Sequence, residues 1–187
     1  MPVGILALQG DFREHAQLLN GMGVETRLVR KPGELDSIDG LVIPGGESTT
    51  IGKLADRYGL LEPLRRAVRS GVPTLGTCAG LIFLAAGTTG PAQIHLGVLD
   101  VVVERNAFGR QVDSFEAELD VTGLVDPLHA VFIRAPVIDK AGADVEILAT
   151  VENDPVMVRQ GNIIATSFHP ELTGETRVHT LMLNQEG

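Results

Sequence analysis

A single cysteine, Cys78, is all the thiol chemistry this sequence holds. No internal disulfide can form, so the cross-linked frameworks of small secreted domains are excluded. The stretch Met1-Pro2-Val3-Gly4 lacks the basic segment and long apolar run of a secretory signal. No apolar run approaches the ~18 residues that cross a bilayer. These absences lead us to expect a cytoplasmic chain with no membrane partner. Positive charge is scarce as well: 15 Lys and Arg face 24 Asp and Glu, a net charge of −9. That balance repels a polyanion and argues against nucleic acid as a partner. The one dense basic cluster, Arg65-Arg66-Ala67-Val68-Arg69, has the spacing of a solvated helix face. Histidines 15, 95, 129, 169 and 179 are far apart, with no His-x3-His or Cys-x2-Cys pairing, so no metal site is expected.

What is present is enough apolar residue, 44% of 187, to fill one ordinary core, and we expect residues 1–187 to form one domain. Short apolar runs end at Gly or Pro and give way to helix-start residues. Val3 to Leu8 stops at Gln9-Gly10, and Asp11 then reads as the N-cap of a helix carrying Phe12, Ala16 and Leu19. Val24 to Val29 reads as a second strand. Leu41-Val42-Ile43 ends at Pro44-Gly45-Gly46 and leads into Glu47-Ser48-Thr49-Thr50. Residues 60 to 70 read as an amphipathic helix, Val72 to Leu75 as a strand and Leu81 to Ala86 as an apolar helix. Beyond residue 97 the pattern changes: Phe115, Ala117, Leu119 and Val121 alternate with Glu116, Glu118 and Asp120, as in half-exposed strands. Val145 to Val151, Val156 to Arg159 and Asn162 to Phe168 follow as strands, and a last helix is expected from about Thr173. The expected fold is α/β: three layers, a mostly parallel open sheet with helices on both faces, and an antiparallel extension.

The chemistry concentrates in three segments. Gly76-Thr77-Cys78-Ala79-Gly80 lies between a strand and a helix with the glycine spacing of a nucleophile elbow, cysteine standing for serine. At a helix start the sulfur meets free backbone N–H groups and the positive end of the helix dipole, a setting that favours thiolate. A lone cysteine is ordinarily a small buried hydrophobe; the elbow context favours a nucleophile. Ser167-Phe168-His169-Pro170-Glu171 offers a base and an acid. Pro170 disfavours helical geometry at His169, so the stretch is expected to be extended, with 169 and 171 on one side and Glu171 orienting His169. Outside that context the pair would read as a surface ion pair. Pro44-Gly45-Gly46-Glu47-Ser48 presents backbone N–H groups at a helix start, and Gly46 with Ala79 would form an oxyanion hole. The Gly-Lys-Ser/Thr ending of a phosphate-binding loop is absent from it.

Together with Leu8-Gln9-Gly10, Arg13-Glu14-His15, Arg105-Asn106-Ala107-Phe108-Gly109-Arg110-Gln111 and Leu172-Thr173, these segments resemble the triad-type, class I glutamine amidotransferases. Within them the chain is most similar to the glutaminase subunits of pyridoxal 5′-phosphate synthases. The resemblance extends over nearly the whole chain and implies a flavodoxin-like fold. It also implies hydrolysis of L-glutamine to glutamate and ammonia by Cys78, His169 and Glu171, without a cofactor. Gly46, Glu47, Ser48, Arg105, Ile133 and Arg134 would contact the substrate, an arginine suiting its α-carboxylate. The implied partner is a barrel-type synthase subunit, in a large hetero-oligomer, that receives the ammonia. Gln9-Gly10 would shape the oxyanion site or sense that partner, and His15 would face solvent or the partner. Two alternatives stay open: the glutaminase subunit of imidazole glycerol phosphate synthase, and a non-catalytic binding module on the same fold.

Overall fold

A computed structural model describes residues 2–105 and 114–184. Its frame is a seven-stranded sheet that runs, edge to edge, through Glu146–Val151, Asp154–Gln160, Ile163–Thr166, Thr74–Thr77, Gly40–Ile43, Val3–Leu6 and Thr26–Val29. The parallel strands are β1 (Val3–Leu6), β2 (Thr26–Val29), β3 (Gly40–Ile43), β4 (Thr74–Thr77) and β12 (Ile163–Thr166). On one edge β11 (Asp154–Gln160) pairs antiparallel to β12, and β10 (Glu146–Val151) antiparallel to β11. This is the mostly parallel sheet with an antiparallel extension that the sequence implies. Val72 to Leu75 is shifted relative to β4 because Pro73 has no N–H to give a ladder; its carbonyl accepts from Leu41 N–H, and the strand starts after it.

Successive strand residues face opposite ways, and both faces are covered, so the strands are apolar throughout. Leu6, Leu41, Ile43, Ile163 and Ala165 look toward one core. It is closed by α2 (Ser48–Arg57), α3 (Leu61–Arg69), α4 (Ala79–Leu84) and a small sheet of β5 (Ala85–Thr88), β6 (Leu99–Glu104) and β9 (Val137–Ala141). Val3, Ile5, Val42, Leu75 and Ile164 look the other way, under α1 (Phe12–Gly21), α6 (Thr176–Leu183) and the hairpin of β7 (Ser114–Leu119) and β8 (Leu128–Ile133). The β7 alternation follows the sequence pattern, with Phe115, Ala117 and Leu119 inward and the glutamates outward.

Three local expectations change. The apolar helix after Cys78 starts at Ala79 and ends at Leu84, because Ala85 leaves it to pair with Leu99 in β6. Sheet pairing there overrides the helical preference of alanine. The His-Pro-Glu stretch is not extended. Pro170 opens α5 (Pro170–Thr173), where its missing N–H costs nothing, and only His169 keeps non-helical angles, as a residue before proline should. Gly174, at φ +68°, ends that turn, and the last helix begins at Thr176 instead of Thr173. Helix α4 packs very close to the sheet at Gly80: a Cβ there would lie 2.0 Å from the Ile43 carbonyl oxygen. Among the described residues no helix is long and apolar enough to cross a membrane.

Candidate active site

The site lies at the carboxyl ends of β1, β3, β4 and β12, where open α/β sheets leave a crevice. Cys78 follows β4 with φ +48° and ψ −102°, backbone angles that L-residues rarely adopt. Its N–H is bonded to the Thr166 carbonyl of the neighbouring strand. The strain turns the side chain out of the sheet edge, with Sγ 4.0 Å from the Ile133 carbonyl oxygen. His169 follows β12 and is anchored by its own N–H on the Val131 carbonyl. Its Nδ1 is 2.7 Å from Glu171 Oε1. Because Glu171 occupies the first turn of α5 instead of an extended strand, the turn itself brings the carboxylate back to the ring.

Electrostatics follow from this packing. Burial alone would hold the His169 pKa down, but hydrogen bonds with Cys78 and Glu171 outweigh it and carry it up to about 10. Burial raises Glu171 above the ordinary carboxylate range, with His169 pulling the other way. His169 therefore lies between a sulfur and a buried acid, and its bonds to both favour the charged ring. Asp11 adds a second carboxylate, with Oδ2 3.4 Å from His169 Nδ1. The sequence presents Asp11 as a helix cap, yet its side chain makes no cap bond and lines the cleft instead.

The cleft, of about 380 Å³, is lined by Cys78, Ala79, His169, Gly46, Glu47, Ser48, Arg105, Ile133 and Arg134, together with Gln9, Asp11, Ile82 and Leu172. Every substrate-contact candidate from the sequence thus borders one space, and Glu171 lies behind His169. The loop after β3 is pressed against the ring: a Cβ on Gly45 would fall 2.5 Å from His169 Cε1. Gly46 has φ +147°, and Gln9 Oε1 accepts the Glu47 N–H at 2.7 Å. Glu47 caps α2 by accepting from the N–H groups of Thr49 and Thr50. Partial burial raises its pKa, but the bonds from Thr50 and Thr49 prevail and bring it down to about 2. Arg105 Nη2 lies 3.3 Å from Glu47 Oε1, which fixes the guanidinium at the cleft edge. Residues 106–111 of the Arg-Asn-Ala-Phe-Gly-Arg-Gln motif lie outside the described residues.

A family model described as the SNO glutamine amidotransferase family matches residues 5–186. The chain belongs to that family. This amidotransferase is 59% identical over 185 residues to "Pyridoxal 5'-phosphate synthase subunit PdxT" of Frankia casuarinae, covering 97% of this chain and 93% of that one. It is 54% identical to the protein of the same name from Mycobacteroides abscessus, with 97% and 95% covered. A solved glutamine amidotransferase structure superposes on this family member with a TM-score of 0.95 at 53% identity, covering 99% and 98% of the two chains. PurLQS of Thermotoga maritima shares the fold, with a TM-score of 0.69 at 18% identity, covering 98% of each chain.

Several residues of the amidotransferase's site escaped the sequence. Gln93 accepts from Ser48 Oγ and Thr49 Oγ1, each at 3.2 Å, and from Arg105 Nη1 at 3.3 Å, tying the start of α2 to Arg105. No local pattern marks it. His15 does not face solvent or a partner: it is fully buried under the site, 3.4 Å from Glu171 Oε2. Its place on the inner face of α1, one turn after Asp11, was the available signal.

Proposed function

We propose that this chain is the glutaminase subunit of a pyridoxal 5′-phosphate synthase, releasing ammonia from L-glutamine for a partner synthase subunit. The observation that carries the reading is His169 held between Cys78 and Glu171 in a cleft bordered by Glu47 and Arg105. The Cys78 thiolate attacks the side-chain amide of glutamine, and the backbone N–H groups of Gly46 and Ala79 receive the oxyanion. His169 protonates the leaving nitrogen, so ammonia departs and a glutamyl thioester remains on Cys78. A water deprotonated by His169 then hydrolyses the thioester to glutamate and releases the Cys78 thiolate beside the again-protonated His169. Glu171 orients the imidazole and stabilises its charged form. Arg105 and Arg134 supply cations for the α-carboxylate, and Glu47, charged throughout the working pH range, an anion for the α-ammonium. Gly46, Ser48 and Ile133 complete the glutamine pocket. The reaction consumes one water and requires no cofactor.

The high identity to two proteins named as PdxT subunits supports the assignment to vitamin B6 synthesis. The partner is expected to be a barrel-type subunit in a large hetero-oligomer that receives ammonia before it protonates and escapes. A reducing cytoplasm keeps the single thiol available. The whole chain acts as one glutamine amidotransferase domain. The test is glutamate release with and without the synthase subunit, using Cys78→Ala as the control. Partner-stimulated release that disappears in Cys78→Ala supports the reading. Release indifferent to the synthase would remove the pathway assignment, and no release under either condition would favour a binding module.

A further inference from the structure

Behind the site lies a second layer of buried polar groups that the reaction above does not use. Glu171 presents only one oxygen, Oε1, to His169; the other, Oε2, is buried with no hydrogen-bond partner within normal distance among the described residues. Facing it is His15 Nε2, 3.4 Å away, which also lies 3.1 Å from Thr77 Oγ1 on the strand that carries Cys78. The other ring nitrogen of His15, Nδ1, is 2.8 Å from His179 Nε2 on α6. His15, His179 and Thr77 are all fully buried.

One proton occupies the His15–His179 contact, and its position decides what Glu171 meets. If His15 Nδ1 carries it, His15 Nε2 is a lone pair aimed at a carboxylate lone pair, which is repulsive in a dry interior. If His179 Nε2 carries it, the His15 proton sits on Nε2 and points at Thr77 Oγ1 and Glu171 Oε2. A charged Glu171 selects the second arrangement. Burial, reinforced by the neighbouring His179 and His169, keeps His15 well below the ordinary histidine range, so it acts as a neutral donor.

We propose that His15 is a positioning residue for the reaction: its Nε2–H holds the outer oxygen of Glu171, and His179 fixes the tautomer that makes this possible. The proposal rests on the assignment of Glu171 as the acid that orients His169. Without the His15 donor, Oε2 loses the side-chain N–H that faces it among the described residues, and the carboxyl gains by taking up a proton or by turning. Either change weakens its hold on His169 Nδ1. His15 does not border the cleft, so the loss falls on kcat and leaves the KM for glutamine unchanged.

The test is steady-state glutamine hydrolysis in the complex with the synthase subunit. His15→Met fills the volume without a donor, and His15→Gln restores an N–H near the Nε2 position. Leaving a buried carboxylate oxygen without its facing donor implies a fall of about tenfold in kcat for His15→Met. His15→Gln is expected to recover most of it. On a Glu171→Gln background His15→Met should cost no further activity, because its effect runs through that carboxylate. An equal loss for Met and Gln, an equal loss on both backgrounds, or an unimpaired His15→Met would each overturn the proposal. A Glu171→Gln variant with full activity would instead remove the triad reading on which the proposal stands.

Discussion

Cys78 carries its backbone at a φ of +48°, and a non-glycine residue held there costs on the order of 1–3 kcal/mol that the surrounding sheet must overcome. The Thr166 carbonyl on the Cys78 N–H and the packing of α4 hold it in place. The same scale decides how substrate is held. Arg105 is half-buried, with Glu47, Thr49 and Gln93 around its guanidinium, so little reorganisation is needed for it to accept a carboxylate. Arg105→Ala is therefore expected to raise the KM for glutamine by about 10- to 100-fold, the worth of a lost charge-assisted bond, with kcat changed much less. Initial rates over a glutamine series check this. A kcat defect at unchanged KM would place Arg105 in the chemistry instead of in binding.

The elements were legible wherever punctuation is local. Gln-Gly after β1, Pro-Gly-Gly after β3 and the two glycines around Cys78 mark strand ends within a few residues, and the cleft forms at those ends. Pro170 was misleading because proline acts in both directions: it keeps His169 out of a helix and begins one itself, so Glu171 sits in a helical turn. The burial of His15 could be read from its place on α1, but its contact with His179 could not, because the two are 164 residues apart and no spacing rule reaches across that distance. Gln93 and Asp11 were missed for a related reason, since each has an ordinary local explanation and gains its role only from the packed neighbours. The approach of α4 to β3 gives the element-scale prediction. A Cβ on Gly80 would meet both the oxygen and the carbon of the Ile43 carbonyl, at 2.0 and 2.9 Å, so backbone has to move. Gly80→Ala should destabilise the fold by about 1–3 kcal/mol or more and displace the Ala79 N–H, lowering kcat as well. Urea denaturation with parallel glutamate release checks it; an unchanged midpoint would mean that α4 can shift freely.

At the scale of the whole molecule, the buried histidines are expected to contribute to the acid side of the stability profile. Burial holds His179 down to about 4, against 6.5 for a free side chain, and shifts His15 in the same direction. A depressed histidine means that the unfolded chain binds its proton first as pH falls. The stabilising preference for neutral imidazole is thus complete above pH 6.5 and is lost progressively toward pH 4. For His179 the loss is on the order of 3 kcal/mol across that window. Glu47 follows the same sign lower down, its contribution present above about 4.5 and lost as pH falls toward 2. The urea midpoint should therefore drop between pH 7 and 5, and His179→Gln, which does not titrate, should flatten the drop; an equally steep decline in the variant would assign the acid sensitivity elsewhere. The central claim is covalent, and the chain has only one cysteine on which to test it. The complex is quenched with acid during turnover of glutamine and its peptides are examined by mass spectrometry. A glutamyl adduct on the Cys78 peptide, absent from Cys78→Ser, is the predicted result. Glutamate release with no adduct at Cys78, or with one elsewhere, would contradict the mechanism.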